Sequence, residues 1–456
     1  MRRDRFRFQT AGFSLALAIA VFLGSWTKAL AQSKYLVLEN GLKVFLLEKH
    51  TSPLFNLSLA INLGTKDETD ETSGLGHLLE HSILFRNQVN EQMEATASQE
   101  LRRHGAYYNG HTGQDLIVFE ISLPSSEVDF ALANQKEILS GSRFDQKGLD
   151  EEKEVILKEI NQIEDDPLRL ATSLLYQNLF KNHPYGRPVY GSRESIKSIT
   201  REQMDSYYRK YFVPSNCALA AVGDFSLAEL ENKIRGLFGD LKNEPLYATP
   251  FSKAPLLSKR TEVGRELDIK QAYLVIGVVG PDYNNPDQFG VDVMTEILGR
   301  GVNPLLNSAL RGSLEFGQTV SMSYVANKYG GGIWATFALE PKNVNRTKNE
   351  AIDFLRKSRD LNYSKNDYLG EERFYAYDYL GSAKNQIKFN AFQAQERGLD
   401  VAVAMAKHML LGNESADSGY LNLIDKISSS DLRQIAGKYW SKGEYVVVTI
   451  LPNKKD

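Results

Sequence analysis

The stretch "ITREQMDSYYRKYFVPSNCALAAVGDF", Ile199 to Phe225, returns in outline as "ISSSDLRQIAGKYWSKGEYVVVTILPN", Ile427 to Asn453. Each copy opens on Thr or Ser, the short side-chain oxygens that cap a helix N-terminus. Each then runs through an amphipathic helix to Lys-Tyr-aromatic, a turn, and an apolar strand. Lys210 and Lys438 both lie 11 positions after the opening isoleucine, so the register holds at a shift of 228 residues. A period that long marks a duplicated domain, not a solenoid unit. The seam falls in "GDLKNEPLYATPFSKAPLLSKRTEV", Gly239 to Val263, which carries three prolines and no hydrophobic period.

Strands and helices mix in both halves. "KVFLLE" (43–48), "FNLSLAINLG" (55–64) and "LIVFEISLP" (116–124) read as strands, as do "QAYLVIGVVG" (271–280) and "GIWATFALEP" (332–341). The expected fold class is α+β, with one largely antiparallel sheet and packed helices per half. The glycines of "YGGGIW" (329–334) read as a turn, and no lysine-serine pair follows that would make a phosphate loop.

The N-terminus reads as an export signal. "MRRDRFRF" is a basic leader, Ala11 to Gly24 is an apolar run of 14 residues, and Ala29-Leu30-Ala31 offers a cleavage site. Fourteen apolar residues fall short of a bilayer span, so no stable membrane insertion is expected after cleavage, and the location is periplasmic or secreted. The expected division is 1–31 signal peptide, 32–240 first domain, 241–262 linker and 263–456 second domain. The single cysteine, Cys217, permits no internal disulfide, so stability must come from the core. Losing residues 1–31 removes five basic residues and one acid, taking the net charge from -3 to -7. An acidic chain without a basic run argues against nucleic acid as a partner.

The chemistry concentrates in "GLGHLLEHSILF", Gly74 to Phe85, which holds two of the chain's seven histidines. On a helix His77, Glu80 and His81 share one face. Two imidazoles at i, i+4 can bind one cation, and H-x-x-E-H is the inverted form of the zinc motif H-E-x-x-H. The bland alternative is an ordinary helix with a chance histidine pair. A third ligand decides, because catalytic zinc usually takes three protein ligands. In "DEEKEVILKEINQIEDDP" (150–167) the helical stripe Val155, Ile156, Glu159, Ile160 and Ile163 places Glu159 on an apolar face, where a carboxylate needs a partner or a metal. Glu152 lies two turns earlier on the same face. Alone, Glu159 reads equally as a salt-bridge acid and Glu152 as a solvated one.

His77-x-x-Glu80-His81, 77 intervening residues, and Glu159 within "EEKEVILKEI" (151–160), an ExxEVILKEI pattern, resemble the M16 metallopeptidases, the pitrilysin and mitochondrial processing peptidase group. "LENGLKVFLLEKHTSPLFNLSLAINLGTKDE" and "NHPYGRPVYGSRESIKSITREQMDSYYRKYFVPSNCALAAVGDF" are similar to that family's opening strands and the close of its first half. The resemblance is to the small bacterial two-domain type. It implies two α/β rolls facing each other around a chamber that encloses an unfolded peptide. It implies one Zn2+ per catalytic chain, held by His77, His81 and Glu159, with Glu80 as general base and Glu152 as auxiliary acid. It also implies substrate contact from Asn109, in "GAYYNGHTGQDLIVFEISL", and from Arg311. Family members carry a tyrosine seven residues after that arginine, completing a substrate clamp, whereas this chain has Gln318; Tyr324 is the next tyrosine along. The departure points to a homodimer with an altered site, or to a heterodimer in which a related chain supplies the Arg/Tyr clamp. The expected activity is an exported zinc metalloendopeptidase acting on peptides. The alternative is a non-catalytic peptide-binding or scaffold subunit.

Overall fold

The computed structural model describes residues 32–86, 97–244, 251–301, 304–310, 319–364, 378–412 and 419–453. The signal-like segment 1–31, Arg311 and Gln318 lie outside the described residues. Among the described residues eleven strands form two sheets. The first contains β1 (Ser33–Val37), β2 (Lys43–Glu48), β3 (Leu54–Ile61), β4 (Tyr107–Thr112), β5 (Ile117–Pro124) and β6 (Cys217–Gly223), in the order β1-β2-β6-β3-β5-β4. The second contains β7 (Thr261–Leu267), β8 (Ala272–Gly280), β9 (Thr319–Asn327), β10 (Gly330–Leu339) and β11 (Val446–Pro452), in the order β7-β11-β8-β10-β9. All pairings are antiparallel except β2 with β6 and β7 with β11. Removing β1 makes the two strand orders identical.

The first half carries α1 (Leu75–His81), α2 (Ala97–Arg103), α3 (Val128–Ser140), α4 (Gln146–Asp165), α5 (Pro167–Leu179), α6 (Arg193–Ser198), α7 (Arg201–Tyr211) and α8 (Leu227–Phe238). The second carries α9 (Asp287–Thr295), α10 (Leu305–Ala309), α11 (Val344–Lys357), α12 (Tyr379–Glu396), α13 (Gly398–Leu411), α14 (Tyr420–Lys426) and α15 (Ser429–Trp440). The sequence echo is α7–β6 against α15–β11. Thr200 and Ser428 cap the two helices through the same reciprocal box, with Gln203 and Asp431 returning the bond.

The 228-residue shift does not hold throughout. β2 and β7 start 218 residues apart, whereas β6 and β11 start 229 apart, because later segments of the second half are longer. Both α1 and α9 run into a π-helical turn, Ser82–Arg86 and Glu296–Arg300, which sets the local shift at 214. His77, Glu80 and His81 therefore correspond to Val291, Met294 and Thr295, not to Leu305, Ser308 and Ala309 as the longer shift gives. No metal donor occupies any of the three. The glycines of "YGGGIW" correct another expectation: Gly330 to Gly332 open β10, and the turn is Lys328-Tyr329.

The halves exchange helices. α4 ends and α5 begins at Asp166, whose carboxylate caps Leu168 N and Arg169 N; the following Pro167 keeps Asp166 extended. The bend carries α5 onto the second sheet, where Ala171, Leu174, Leu175 and Leu179 pack against Val275, Val446, Val448 and Ile450. In the second half Arg397 makes the matching bend (φ -97°, ψ 97°, against -92° and 110° at Asp166). There α13 crosses to the first sheet and buries Val401 to Ala406 against Phe45, Leu47, Ala60, Ala218, Ala220 and Val222. The remaining helices of each half cover the other face of their own sheet. Among the described residues no helix is long and apolar enough to cross a membrane.

Candidate metal centre

α1 is short, so its position depends on its start. Gly74 takes φ 88°, a left-handed value that favours glycine, and a Cβ there would meet Gly191 Cα at 2.8 Å. The buried Glu68 carboxylate accepts from Gly74 N at 2.9 Å and Gly76 N at 2.8 Å, satisfying donors that a helix start leaves open. Burial pushes the Glu68 carboxyl up to about 8, against the pull of those two amides. Leu75, Leu78 and Leu79 anchor α1 in the core, which turns His77, Glu80 and His81 toward α4 and β4.

His77, His81 and Glu159 converge: one ligand atom from each lies within 4.8 Å of the others. Glu159 Oε2 is 3.7 Å from His77 Nε2 and 3.7 Å from His81 Nε2. Donors bound to one tetrahedral zinc at about 2.0–2.2 Å sit roughly 3.3–3.6 Å apart. Glu159 therefore needs to approach each imidazole by only a few tenths of an ångström. A donor set of two imidazoles and a carboxylate fits such an ion. The two rings stand edge to face at 4.6 Å.

The two imidazoles differ behind the site. His81 Nδ1 lies 3.2 Å from Glu152 Oε2, an acceptor that fixes the ring so that Nε2 faces forward. His77 Nδ1 is buried with no hydrogen-bond partner among the described residues. Burial, reinforced by the neighbouring His81, pushes His77 down to about 3, so it stays neutral and keeps a lone pair for a metal. Burial acts on His81 in the same sense, but Glu152, Glu159 and Glu80 outweigh it and the net shift is upward. The acids also differ from the sequence reading. Glu152 is the buried one, at 2 % exposure, whereas the Glu159 side chain is 36 % exposed. The buried line of α4 runs through Leu149, Glu152, Ile156, Ile160 and Ile163, leaving Glu159 on its rim, where it opens onto the site.

Glu80 is buried beside these donors and accepts from Thr112 Oγ1 at 2.6 Å. Burial raises its carboxyl, while Thr112, His81 and His111 pull it down. It packs on Gly110 of β4, where a Cβ would meet Glu80 Oε1 at 2.7 Å. Replacing Thr112 with Val removes a bond to a charged acceptor, a loss of about 1.5–3 kcal/mol. Any reaction that needs ionised Glu80 is expected to slow roughly tenfold at neutral pH, with its acid limb moved to higher pH. A pH–rate profile of the Thr112→Val variant measures both.

Asn109 stands on β4, the edge strand of its sheet, but strand alternation sets its side chain on the face opposite Gly110 and Thr112. There its Nδ2 lies 3.3 Å from His111 Nε2, which in turn lies 3.4 Å from Glu120 Oε1. Asn109 is thus not brought to the metal donors. Tyr324 cannot replace a clamp tyrosine: it is 1 % exposed, and its hydroxyl donates to Pro281 O at 3.0 Å. Sequence reading missed Thr112 and Glu68; both lie in quoted stretches, but nothing in their spacing marks them.

Both halves of the chain are similar to known proteins. The profile described as insulinase (peptidase family M16) matches residues 43–193, and that of the peptidase M16 inactive domain matches residues 198–369. A probable mitochondrial-processing peptidase subunit beta of Arabidopsis thaliana is 23% identical over 92% of this chain and 78% of its own. An uncharacterized zinc protease of Rickettsia felis is 24% identical over 89% of this chain and 94% of its own. The crystal structure of a protease from Helicobacter pylori superposes with a TM-score of 0.81 at 19% identity, covering 93% of this chain and all of the other.

Proposed function

The chain belongs to the M16 peptidase family, and from that premise we propose that it is an exported zinc metalloendopeptidase acting on peptides or unfolded segments. The observation that carries this reading is the convergence of His77 Nε2, His81 Nε2 and Glu159 Oε2, with Glu80 beside them and Glu152 behind His81. A zinc ion held there would acidify a bound water and polarise a peptide carbonyl. Glu80 takes a proton from the attacking water on its carboxylate and returns it to the leaving amine nitrogen. Glu152 holds the proton on His81 Nδ1. Thr112 fixes which way the Glu80 carboxylate faces. The edge of β4, paired among the described residues with β5 alone, offers backbone groups to an extended peptide, a mode that reads main chain more than side chain.

Export rests on the basic leader, the apolar run and Ala29-Leu30-Ala31. The Arabidopsis relative is by name one subunit of a peptidase, which supports a paired assembly here, with a second chain supplying the clamp tyrosine that Gln318 replaces. The scaffold alternative calls for a damaged site, and His77, Glu80, His81 and Glu159 are all present. The test is cleavage of a mixed peptide pool by the purified chain, without and with a chelator. Hydrolysis lost on chelation and restored by zinc is the expected result. Hydrolysis indifferent to chelation overturns the metal reading, and a metal-loaded chain that remains inert with any related chain added overturns the peptidase reading.

A further inference from the structure

The metal centre belongs to the first half, yet the second half reaches the strand that supports its base. Thr112, which holds Glu80, is the last residue of β4. The turn that follows, Gly113 to Leu116, closes through Gly113 N to Leu116 O at 2.9 Å. Its other carbonyls are taken by the loop before α1: Thr65 N donates to Gly113 O at 3.2 Å and Lys66 N to Gln114 O at 3.1 Å. The buried Lys66 ammonium donates to Asp115 O at 2.9 Å.

Asp115 is 4 % exposed and Tyr185 is fully buried. The Tyr185 hydroxyl donates to Asp115 Oδ1 at 2.5 Å, and Lys328 N donates to Asp115 Oδ2 at 2.8 Å. The same hydroxyl accepts from Tyr329 N at 3.0 Å. The carboxylate and phenol together therefore bind both amides of Lys328-Tyr329, the β9–β10 turn of the second half. That turn is held from its own side as well: Ala254 N donates to Tyr329 O at 2.6 Å, and Lys328 Nζ to Leu410 O at 3.2 Å on α13.

A buried carboxylate is costly unless fully bonded, and surface pairing would join the halves without one. Here each acceptor faces a defined donor, so the contact fixes one arrangement instead of merely adding adhesion. We propose that Asp115 and Tyr185 are positioning residues, a latch through which the β9–β10 turn of the second half holds the β4–β5 turn in register and thereby keeps Thr112 against Glu80. This rests on the role given to Glu80 above. The second half, which has no metal donor at the three positions corresponding to His77, Glu80 and His81, then contributes to turnover through backbone geometry.

Two measurements on the full chain test it. The first needs no metal or substrate: hydrogen–deuterium exchange of Asp115→Asn and Tyr185→Phe, read over residues 107–117 and 325–331. An asparagine amide at position 115 must turn a donor toward Lys328 N or the Tyr185 hydroxyl. Both segments are expected to exchange faster in each variant while α1 and α4 keep their protection. The second is steady-state kinetics on the zinc-loaded chain. A kcat lowered by up to about tenfold, the loss expected of Thr112→Val itself, is expected with KM within about twofold, and no further loss when Thr112→Val is added, because both changes release the same contact. Unchanged exchange overturns the latch. Faster exchange with an unaltered kcat, or losses that multiply with Thr112→Val, overturns the positioning role. If the zinc-loaded wild-type chain hydrolyses nothing even with a related chain added, the peptidase reading fails instead, and exchange alone judges the latch.

Discussion

Glu80→Gln is expected to keep the metal and lower peptide turnover by about 10²- to 10⁴-fold, the usual contribution of a positioned acid–base group. The substitution preserves volume, and Gln Oε1 can still accept from Thr112 Oγ1, so the buried packing on Gly110 survives. What disappears is a carboxylate able to take a proton. Glu80 suits that task because burial raises its carboxyl while Thr112 and His81 restrain the rise, bringing a base closer to neutral pH than an exposed acid. Metal content is the control: His77, His81 and Glu159 form the donor triangle without Glu80. Zinc retained at one equivalent with turnover lost is the expected pair of results. Turnover within about threefold of wild type would remove Glu80 from the mechanism.

The duplication was legible because two local signals repeat together, a capping residue and the helix–turn–strand period that follows it. That His77, Glu80 and His81 share one face of a helix was legible from their spacing alone. Glu159 and Glu152 were placed on one face of the right helix, but Glu159 lies on the rim of the buried line and not within it. Val155, Ile156, Glu159, Ile160 and Ile163 fit a 3.6-residue stripe as well as the observed line through Leu149 and Glu152, and only tertiary packing chooses between them. The exchange of α5 and α13 leaves one mark in sequence. "VAVAMA" (401–406) is apolar on every side, which calls for burial all round, but it does not say against which sheet. The bonds of the Asp115 carboxylate left none, since they come from a backbone amide 213 residues away and a hydroxyl 70 residues away.

Glu152→Gln sets two effects against each other, and their pH dependence separates them. The carboxylate 3.2 Å from His81 Nδ1 orients the ring and makes Nε2 a better donor, and losing such a partner typically costs about 10- to 100-fold in metal affinity. The same carboxylate helps raise His81 above the ordinary histidine range, so in the metal-free protein a proton competes with the metal for that ring. Removing the charge lowers His81 and weakens the competitor. In alkaline solution His81 is neutral in both proteins, only orientation counts, and the wild type should bind zinc about 10- to 100-fold more tightly. As pH falls, His81 protonates first in the wild type, its affinity drops sooner, and the gap narrows. Zinc titration against a chromophoric chelator at pH about 8 and about 6 brackets the crossover, because an ordinary histidine titrates between them. A gap that stays constant with pH would mean that Glu152 acts on the ring by orientation alone, and a gap that widens in acid would contradict its hold on the His81 proton.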